Sequence, residues 1–171
     1  AEDALLLGIF PYDASKAMAE IAARSYAKTY NLPLVVTRSS NIYGPGDVNE
    51  TRLIPDTIRA VLKNRRPMIR SDGSPQRDYV FIDDVVDGLL RALEAILPSV
   101  RFAAPGDVFH FGSGRPVSVL GVIQYILDVM GSNLKPDIQG TATAEIDIQY
   151  INSDKAQREL GWTPKVGLQE G

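Results

Sequence analysis

The sequence predicts an α/β protein in which helices and strands alternate along the chain. Two segments, LPLVVTRSS (32–40) and VFHFG (108–112), have apolar centres rich in β-branched or aromatic residues, as buried strands do. Segments with helical periodicity or helix-end signals lie before, between and after these two strands. Such alternation is typical of a layered fold with helices packed on a largely parallel sheet.

The first helix is predicted to run from about Tyr12 to Tyr30. Pro11 suits the first turn of a helix, and Asn31 followed by Pro33 suits its end. This helix begins with the segment PYDASK, in which a tyrosine and a lysine are four residues apart.

The middle of the chain is predicted to contain a loop, a helix and two short strands. Residues 41–52 (NIYGPGDVNETR) are rich in turn formers and are predicted as a loop. Residues 53–64 are predicted as a helix with one apolar face, formed by Ile54, Ile58, Val61 and Leu62. Strands are predicted at PMIR and RDYVFI, on either side of the turn SDGSPQ.

The alternation is predicted to continue on both sides of the strand at 108–112. The remaining elements are a helix capped by Asp83 or Asp84 and ending near Ile96, a helix capped by Ser118 and ending near Met130, a half-buried strand at 145–151 (EIDIQYI), and a short helix at 153–161 that begins at a capping serine and stops at glycine.

Composition excludes several classes of function. The 171 residues include 18 basic and 21 acidic side chains, for a net charge of −3, so no basic excess is available for a nucleic-acid partner. The absence of cysteine excludes disulfides and thiol catalysis and fits a cytoplasmic location. A single histidine cannot build a multi-histidine metal site, and no apolar run is long enough to cross a bilayer. We therefore expect no metal and no membrane partner.

Tyr12 and Lys16 share one face of the first helix because they are four residues apart. A lysine ammonium beside a phenol stabilises the phenolate, and the N-terminal end of a helix also favours negative charge. A tyrosine in that setting can take a proton from a hydroxyl group while hydride leaves the same carbon, which is alcohol oxidation by a nicotinamide cofactor. The spacing alone leaves open that both are surface residues of an ordinary amphipathic helix.

The order of segments resembles the extended short-chain dehydrogenase/reductase family, the NAD-dependent sugar-nucleotide epimerases and dehydratases. PYDASK resembles the family's Tyr-x-x-x-Lys segment, and LPLVVTRSSNIYGPGD its next strand and substrate loop. RDYVFIDDVVDG, HFGSGRPVSV and ELGWTPKVGLQEG resemble its arginine segment, its late glycine turn and its closing segment. Within the family, the closest likeness is to the CDP-glucose 4,6-dehydratases, because of the Gly-Asp-x-Asn run before Arg52 and the IRSDG turn.

The resemblance implies roles for five residues. Tyr12 would be the base at the sugar C4 hydroxyl, and Lys16 would favour its phenolate and hold the nicotinamide ribose, so both would be catalytic and in contact with NAD. Asn41 would contact the nucleotide sugar. Arg77 would bind its pyrophosphate, as a planar guanidinium does well, and Arg52 is a weaker candidate for the same anion.

The resemblance also implies a division of the chain. We expect the C-terminal part of a Rossmann-type sheet plus the small substrate-binding lobe, with the N-terminal dinucleotide-binding half missing. Residues 1–45 would be a remnant of the dinucleotide-binding domain, and residues 46–171 mainly the substrate-binding lobe. The family's Gly-x-x-Gly-x-x-Gly turn, which binds the cofactor pyrophosphate, is absent from the sequence, and GSGRPVS (112–118) is better interpreted as a loop. We therefore expect the chain alone to be an inactive dehydratase that does not hold NAD firmly.

Other roles stay open beside this interpretation. The helix at 12–30 resembles the family's dimer helix, and its alanines permit close helix approach, so we expect a homodimer. The chain could be a non-catalytic module that self-associates or binds a nucleotide sugar, a fragment of a 4-epimerase, or one half of a split enzyme. His110 is predicted to be a structural residue with one hydrogen bond, and Trp162 to pack the closing turn onto the core.

Overall fold

The computed structural model describes residues 2, 6, 8, 10–97, 102–142 and 145–171. In chain order the elements are α1 (Pro11–Tyr30), β1 (Val35–Ser39), β2 (Asn41–Tyr43), α2 (Leu53–Leu62), β3 (Met68–Ile69), β4 (Gln76–Arg77), β5 (Tyr79–Phe81), α3 (Ile82–Ile96), β6 (Asp107–Phe111), β7 (Val117–Ser118), α4 (Val119–Val129), β8 (Asp137–Ile138), β9 (Ile148–Gln149) and α5 (Asp154–Leu160). Strands separate the helices throughout, which confirms the predicted α/β class. Within the described ranges, no helix combines the length and hydropathy that a bilayer crossing requires.

Strands β1 and β6 form the parallel pair at the centre of the fold, in register from Val35 opposite Asp107 to Ser39 opposite Phe111. Because side chains alternate along a strand, Phe109 and Phe111 face one side of this pair and His110 faces the other. The aromatic side packs against α3 and α5, and its buried cluster includes Val80, Val85, Ala92, Ala95, Phe109, Phe111, Ala156, Leu160 and Trp162. The His110 side faces α1.

A second region of short strands lies beside this pair. Strand β2 pairs in parallel with β5, and β4 lies between antiparallel β7 and parallel β9. Two predictions are corrected here: residues 41–43 form a strand within the predicted loop, and the predicted strand RDYVFI is broken at Asp78. The break occurs because Asp78 changes partners, with its N–H donating to Gln149 O and its C=O accepting from the Asn41 N–H, each at 3.0 Å.

Helix α2 packs with a different face from the one predicted. Leu53 and Val61 pack against a buried cluster that includes Ile123 of α4, and Thr57 and Ala60 of α2 are buried. By contrast, Leu62 is 74% exposed and Ile58 is exposed. The predicted face is therefore wrong at these two positions, because contact with α4 selects the neighbouring stripe of the helix.

The helix ends follow the predicted local signals in most places. Helix α1 starts at Pro11, and Ser118 Oγ caps α4 by accepting from the Gly121 N–H at 3.0 Å. Helix α5 ends at Gly161 with φ 64°. Ser153, however, makes no capping hydrogen bond, because its hydroxyl is hydrogen-bonded to the backbone of Gly112. The predicted half-buried strand at 145–151 is reduced to β9, whose two residues are exposed.

Asp84 joins the closing segment to α3 and does not cap the helix, which corrects the prediction. Its buried carboxylate accepts the N–H groups of Lys165 and Val166, each at 3.0 Å. Trp162 is fully buried, donates its Nε1–H to the Asp84 carbonyl at 2.8 Å and packs edge-on against Phe111. The predicted packing of Trp162 on the core is confirmed.

Candidate functional site

A cleft of about 900 Å³ opens where β1 ends and β2 begins. Its lining comes from the start of α1, the segment 39–43, the loop before α2, Tyr79 of β5 and the residues around β9. Ligands of open parallel sheets bind outside the carboxyl ends of the strands, which is the position of this cleft relative to β1. The fold therefore brings segments that are distant in sequence to one candidate binding site.

Tyr12 and Lys16 are adjacent at the edge of this cleft. Tyr12, in the first turn of α1, lines the cleft and is 70% exposed. The Lys16 Nζ lies 5.6 Å from the centroid of the Tyr12 ring, within range of a cation–π contact. Tyr12 and Lys16 therefore lie on one face of α1, as predicted, with the phenol at the cleft and the ammonium group beside it.

Asn41 lines the cleft at the first position of β2, and its side chain is hydrogen-bonded to the backbone. Its Nδ2 donates to the Asp78 carbonyl at 3.0 Å, the same oxygen that accepts from its own backbone N–H. This bond fixes the amide plane with one Nδ2 hydrogen and leaves Oδ1 as an acceptor for a ligand. The predicted substrate residue thus lines the cleft with a fixed side chain.

The two candidate anion-binding arginines differ in their surroundings. Arg52 lines the cleft, but its Nη1 lies 3.1 Å from Asp47 Oδ2. The Asn49 backbone N–H and, after it, Arg52 hold the pKa of Asp47 below its usual value, so this carboxylate remains charged beside Arg52. Arg77 does not line the cleft itself; its Nη1 donates at 2.6 Å to the carbonyl of Ile146, which does.

Two further tyrosines of the cleft wall were not predicted from the sequence. Burial raises the pKa of Tyr43 to about 12, and its hydroxyl donates to the Gly167 carbonyl at 3.0 Å. Burial also raises the pKa of Tyr79. Burial therefore disfavours the phenolate form of both, and the tyrosine of this cleft that has a lysine beside its ring is Tyr12.

The glycine turn at 112–114 is occupied by an internal carboxylate. Asp78, 1% exposed, accepts the N–H groups of Ser113 and Gly114 and the Ser113 hydroxyl. Successive backbone N–H groups of this kind form a concave site for an anion, and Gly114 with φ 66° permits the required backbone. Because Asp78 supplies that anion, the turn is not open to a phosphate. Sequence analysis missed Asp78, whose partners lie 35 and 36 residues away.

The residues of this chain fit one part of a dinucleotide better than another. The side chains of Tyr12 and Lys16 are exposed and adjacent, so they are accessible to a cofactor ribose. Neither glycine turn suits the pyrophosphate: Asp78 fills the one at 112–114, and Gly44 packs so closely that an added Cβ would lie 2.5 Å from Ile82 Cγ2. The described residues therefore fit the nicotinamide end of NAD.

Comparison with known proteins gives consistent matches. Residues 7–102 match the family model described as the NAD dependent epimerase/dehydratase family. The chain is 31% identical over 167 residues to dTDP-D-glucose 4,6-dehydratase from Bos taurus, covering 94% of this chain and 45% of that protein.

Solved structures give the same result for the fold. The chain is similar to dTDP-glucose 4,6-dehydratase from Bacillus anthracis in complex with NAD, with a TM-score of 0.86 and 28% identity. It is also similar to UDP-glucuronic acid 4-epimerase from Bacillus cereus in complex with UDP-glucuronic acid and NAD, with a TM-score of 0.89 and 26% identity. Each match covers 100% of this chain and 52% of the other, so the chain spans about half their length. The predicted Rossmann-type α/β class is confirmed.

Proposed function

The chain belongs to the NAD-dependent epimerase/dehydratase family, and we propose that it forms the substrate-binding part of a nucleotide-sugar 4,6-dehydratase. One observation carries this proposal. Tyr12, with Lys16 beside its ring, lines the same cleft as Asn41, at the carboxyl end of β1. A proton acceptor and a fixed hydrogen-bonding group for a sugar are therefore brought together in a cavity of suitable size.

In the proposed reaction, the C4 hydroxyl of the sugar lies against the Tyr12 phenol. Tyr12 takes the hydroxyl proton, and the neighbouring Lys16 ammonium stabilises the negative charge on the ring oxygen. Asn41 orients the sugar through Oδ1, since its Nδ2 bond to the Asp78 carbonyl fixes the amide group. NAD, when bound, supplies the acceptor for hydride from C4, and Tyr12 and Lys16 would contact its ribose.

The pyrophosphate of the substrate is assigned to Arg77, with Arg52 as the weaker candidate. Arg77 uses Nη1 to hold the carbonyls of Gln76 and Ile146, which fixes its guanidinium beside the cleft. Arg52 would have to share its charge with Asp47. A guanidinium fixed on one edge can still present its other N–H groups to an anion.

We propose CDP-glucose as the nucleotide sugar, with a 4-epimerase substrate as the alternative. The support is the Gly-Asp-x-Asn run and Arg52, which form an internally hydrogen-bonded wall of the cleft. Asn49 N–H donates to Asp47 Oδ1 at 3.1 Å, and Arg52 bonds the other oxygen of Asp47. We further propose that the chain alone has no dehydratase activity, because the part of the chain that the structure describes offers no open glycine turn for the pyrophosphate of NAD.

A second candidate function is self-association through α1 as a homodimer. Met18, Ile21 and Tyr26 are exposed apolar residues along this helix. An exposed apolar surface of this kind often marks a contact between proteins. Sedimentation of the chain at several concentrations tests this, with Ile21→Glu expected to shift the equilibrium towards monomer.

A thermal-shift titration with CDP, CDP-glucose, dTDP-glucose, UDP-glucose and NAD⁺ tests the main proposal. CDP-glucose at about a hundred times its dissociation constant is expected to stabilise the chain by roughly 2.7 kcal/mol. Asn41→Ala should abolish the shift, whereas Gln157→Ala, an exposed substitution on α5, should preserve it. No shift from a cooperatively folded chain, or an undiminished shift in Asn41→Ala, contradicts the proposal.

A further inference from the structure

Helix α1 has few side chains that interlock with the sheet beneath it. Within this helix only Glu20 and Ala27 are buried. Helix rotation is usually fixed by side-chain ridges that fit into neighbouring grooves, and alanine offers a very small ridge. Apolar packing therefore does little to determine which way Tyr12 and Lys16 point.

Glu20 instead joins α1 to β1 through a bidentate ion pair with Arg38. The Oε1–Nη2 distance is 2.6 Å and the Oε2–Nε distance is 2.7 Å. The Glu20 side chain is 8% exposed, and Arg24 contacts it only at 3.4 Å. Two parallel bonds between planar groups define an orientation as well as a distance.

Arg38 is itself held from the far side by His110 of β6. Its Nη1 lies 3.1 Å from His110 Nε2, and since arginine can only donate, Nε2 must be the unprotonated ring nitrogen. His110 Nδ1–H then donates to the Asn152 carbonyl at 3.1 Å, so the prediction of a single hydrogen bond for His110 is wrong. Burial lowers the pKa of His110, which favours the neutral ring that this arrangement requires, although Glu2, 3.7 Å from Nδ1, acts in the opposite direction.

The position of Glu20 on the helix connects this network to the candidate site. Tyr12, Lys16 and Glu20 are spaced by four residues, so they form one stripe with steps of about 40° around the axis. A rotation of one such step would move each Cα by roughly 1.6 Å. Misplacement of about 1 Å can cost on the order of a hundred-fold in rate.

We propose that Glu20 and Arg38 are positioning residues that set the rotation of α1 and thereby the direction of Tyr12 and Lys16. The functional consequence rests on the proposed role of these two residues. Stability alone is a weak reason for a buried ion pair, because apolar residues of similar volume often replace one without loss. The best-attested use of such groups is to fix the register of one element against another.

Residual dipolar couplings of backbone N–H groups in the 171-residue chain test this proposal, because their periodic variation along a helix reports its rotation. In Glu20→Met/Arg38→Met, the thermal midpoint should be unchanged or higher. The couplings of α1 are compared with those of β1 and β6, which serve as the reference frame. Their periodic variation along the helix should shift in phase by up to about 40°, or its amplitude should fall because the helix samples several rotations. Arg38→Lys keeps the positive charge but cannot form the two parallel hydrogen bonds to Glu20, so it should shift the phase in the same way. Arg24→Gln is the matched control and should leave it unchanged.

An unchanged phase in the double methionine variant overturns the proposal. If that variant does not fold, Arg38→Lys decides alone: a wild-type phase overturns the proposal, and an altered phase supports it. The measurement uses no ligand, so its outcome is separate from that of the nucleotide-sugar titration.

Discussion

Helices α1 and α3 pack on opposite faces of the same two strands, and they are held there by different interactions. Helix α3 buries Val85, Ala92 and Ala95 in the cluster that contains Phe109, Phe111 and Trp162. Helix α1 is joined to its face by Glu20, Arg38 and His110. The supporting face is thus stabilised by apolar packing, and the face that carries the candidate proton acceptor is fixed by polar groups of defined geometry.

The difference suggests a division of labour between the two faces. Apolar packing stabilises strongly but tolerates substitutions of similar volume. A bidentate ion pair adds little net stability but admits few orientations. Accordingly, substitutions on the α3 face should change stability most, and substitutions on the α1 face should change geometry most.

The largest expected effect is at Trp162. Trp162→Ala should lower the free energy of unfolding by about 3–5 kcal/mol, because it empties a fully buried site and leaves the Asp84 carbonyl without its donor. Urea denaturation measures this change. Phe102→Ala, at an exposed aromatic residue, is the control and should change stability little. A Trp162 variant as stable as wild type would show that the aromatic face is not the main source of stability.

Substitution of Asp78 should lower the free energy of unfolding less than substitution of Trp162. Asp78 is a buried acid whose carboxylate is hydrogen-bonded by N–H groups and a hydroxyl, so it tests how much a polar interaction contributes to stability. Asp78→Asn should cost about 1–3 kcal/mol, since an amide NH₂ would face a backbone donor. Asp72→Asn is the matched control: Asp72 is exposed, and its Oδ1 accepts from the nearby Ser74. Equal urea midpoints for the two variants would contradict the assigned role of Asp78.

The smallest expected effect is the pH dependence that arises on the α1 face. The hydrogen bond from Arg38 lowers the pKa of Glu20, so its stabilisation is present above the ordinary value of about 4.3 and is lost as pH falls through the folded pKa. Burial lowers the pKa of His110, so stability also declines as pH falls below about 6.5.

Urea midpoints between pH 7 and pH 3 check this assignment. Glu20→Gln should flatten the decline below about pH 4.3, while Glu159→Gln, on the surface of α5, should follow the wild type. If the urea midpoint of Glu20→Gln falls as steeply with decreasing pH as that of the wild type, a group other than Glu20 takes up the proton.

The parts of the fold that sequence predicted well depend on local signals. Pro11 starts α1, Ser118 caps α4 and Gly161 ends α5, and each acts within one turn of its own position. The candidate site was predicted in part. Tyr12, Asn41 and Arg52 line one cleft, whereas Lys16 and Arg77 lie outside its lining. Their roles towards a ligand stay predictions.

The parts that sequence did not predict depend on partners far along the chain. Asp84 resembles a helix cap, yet its carboxylate bonds residues 81 and 82 positions away. Strand β2 forms because Asn41–Tyr43 pairs with β5. It lies in the segment 41–52, whose glycine and proline content is typical of a loop. Glu20 and Arg38 are separated by 18 residues, and no local pattern pairs them.

The most direct test of the account is a map of backbone amide shifts in the ¹⁵N-labelled chain titrated with CDP-glucose. The account predicts saturable shifts at the cleft, at Asn41, Tyr79 and Gln149, and none at Val108 or Val122, which are buried outside its lining. Shifts confined to residues outside the cleft, or no shifts from a folded chain at millimolar CDP-glucose, would contradict the claim that this cleft binds a nucleotide sugar.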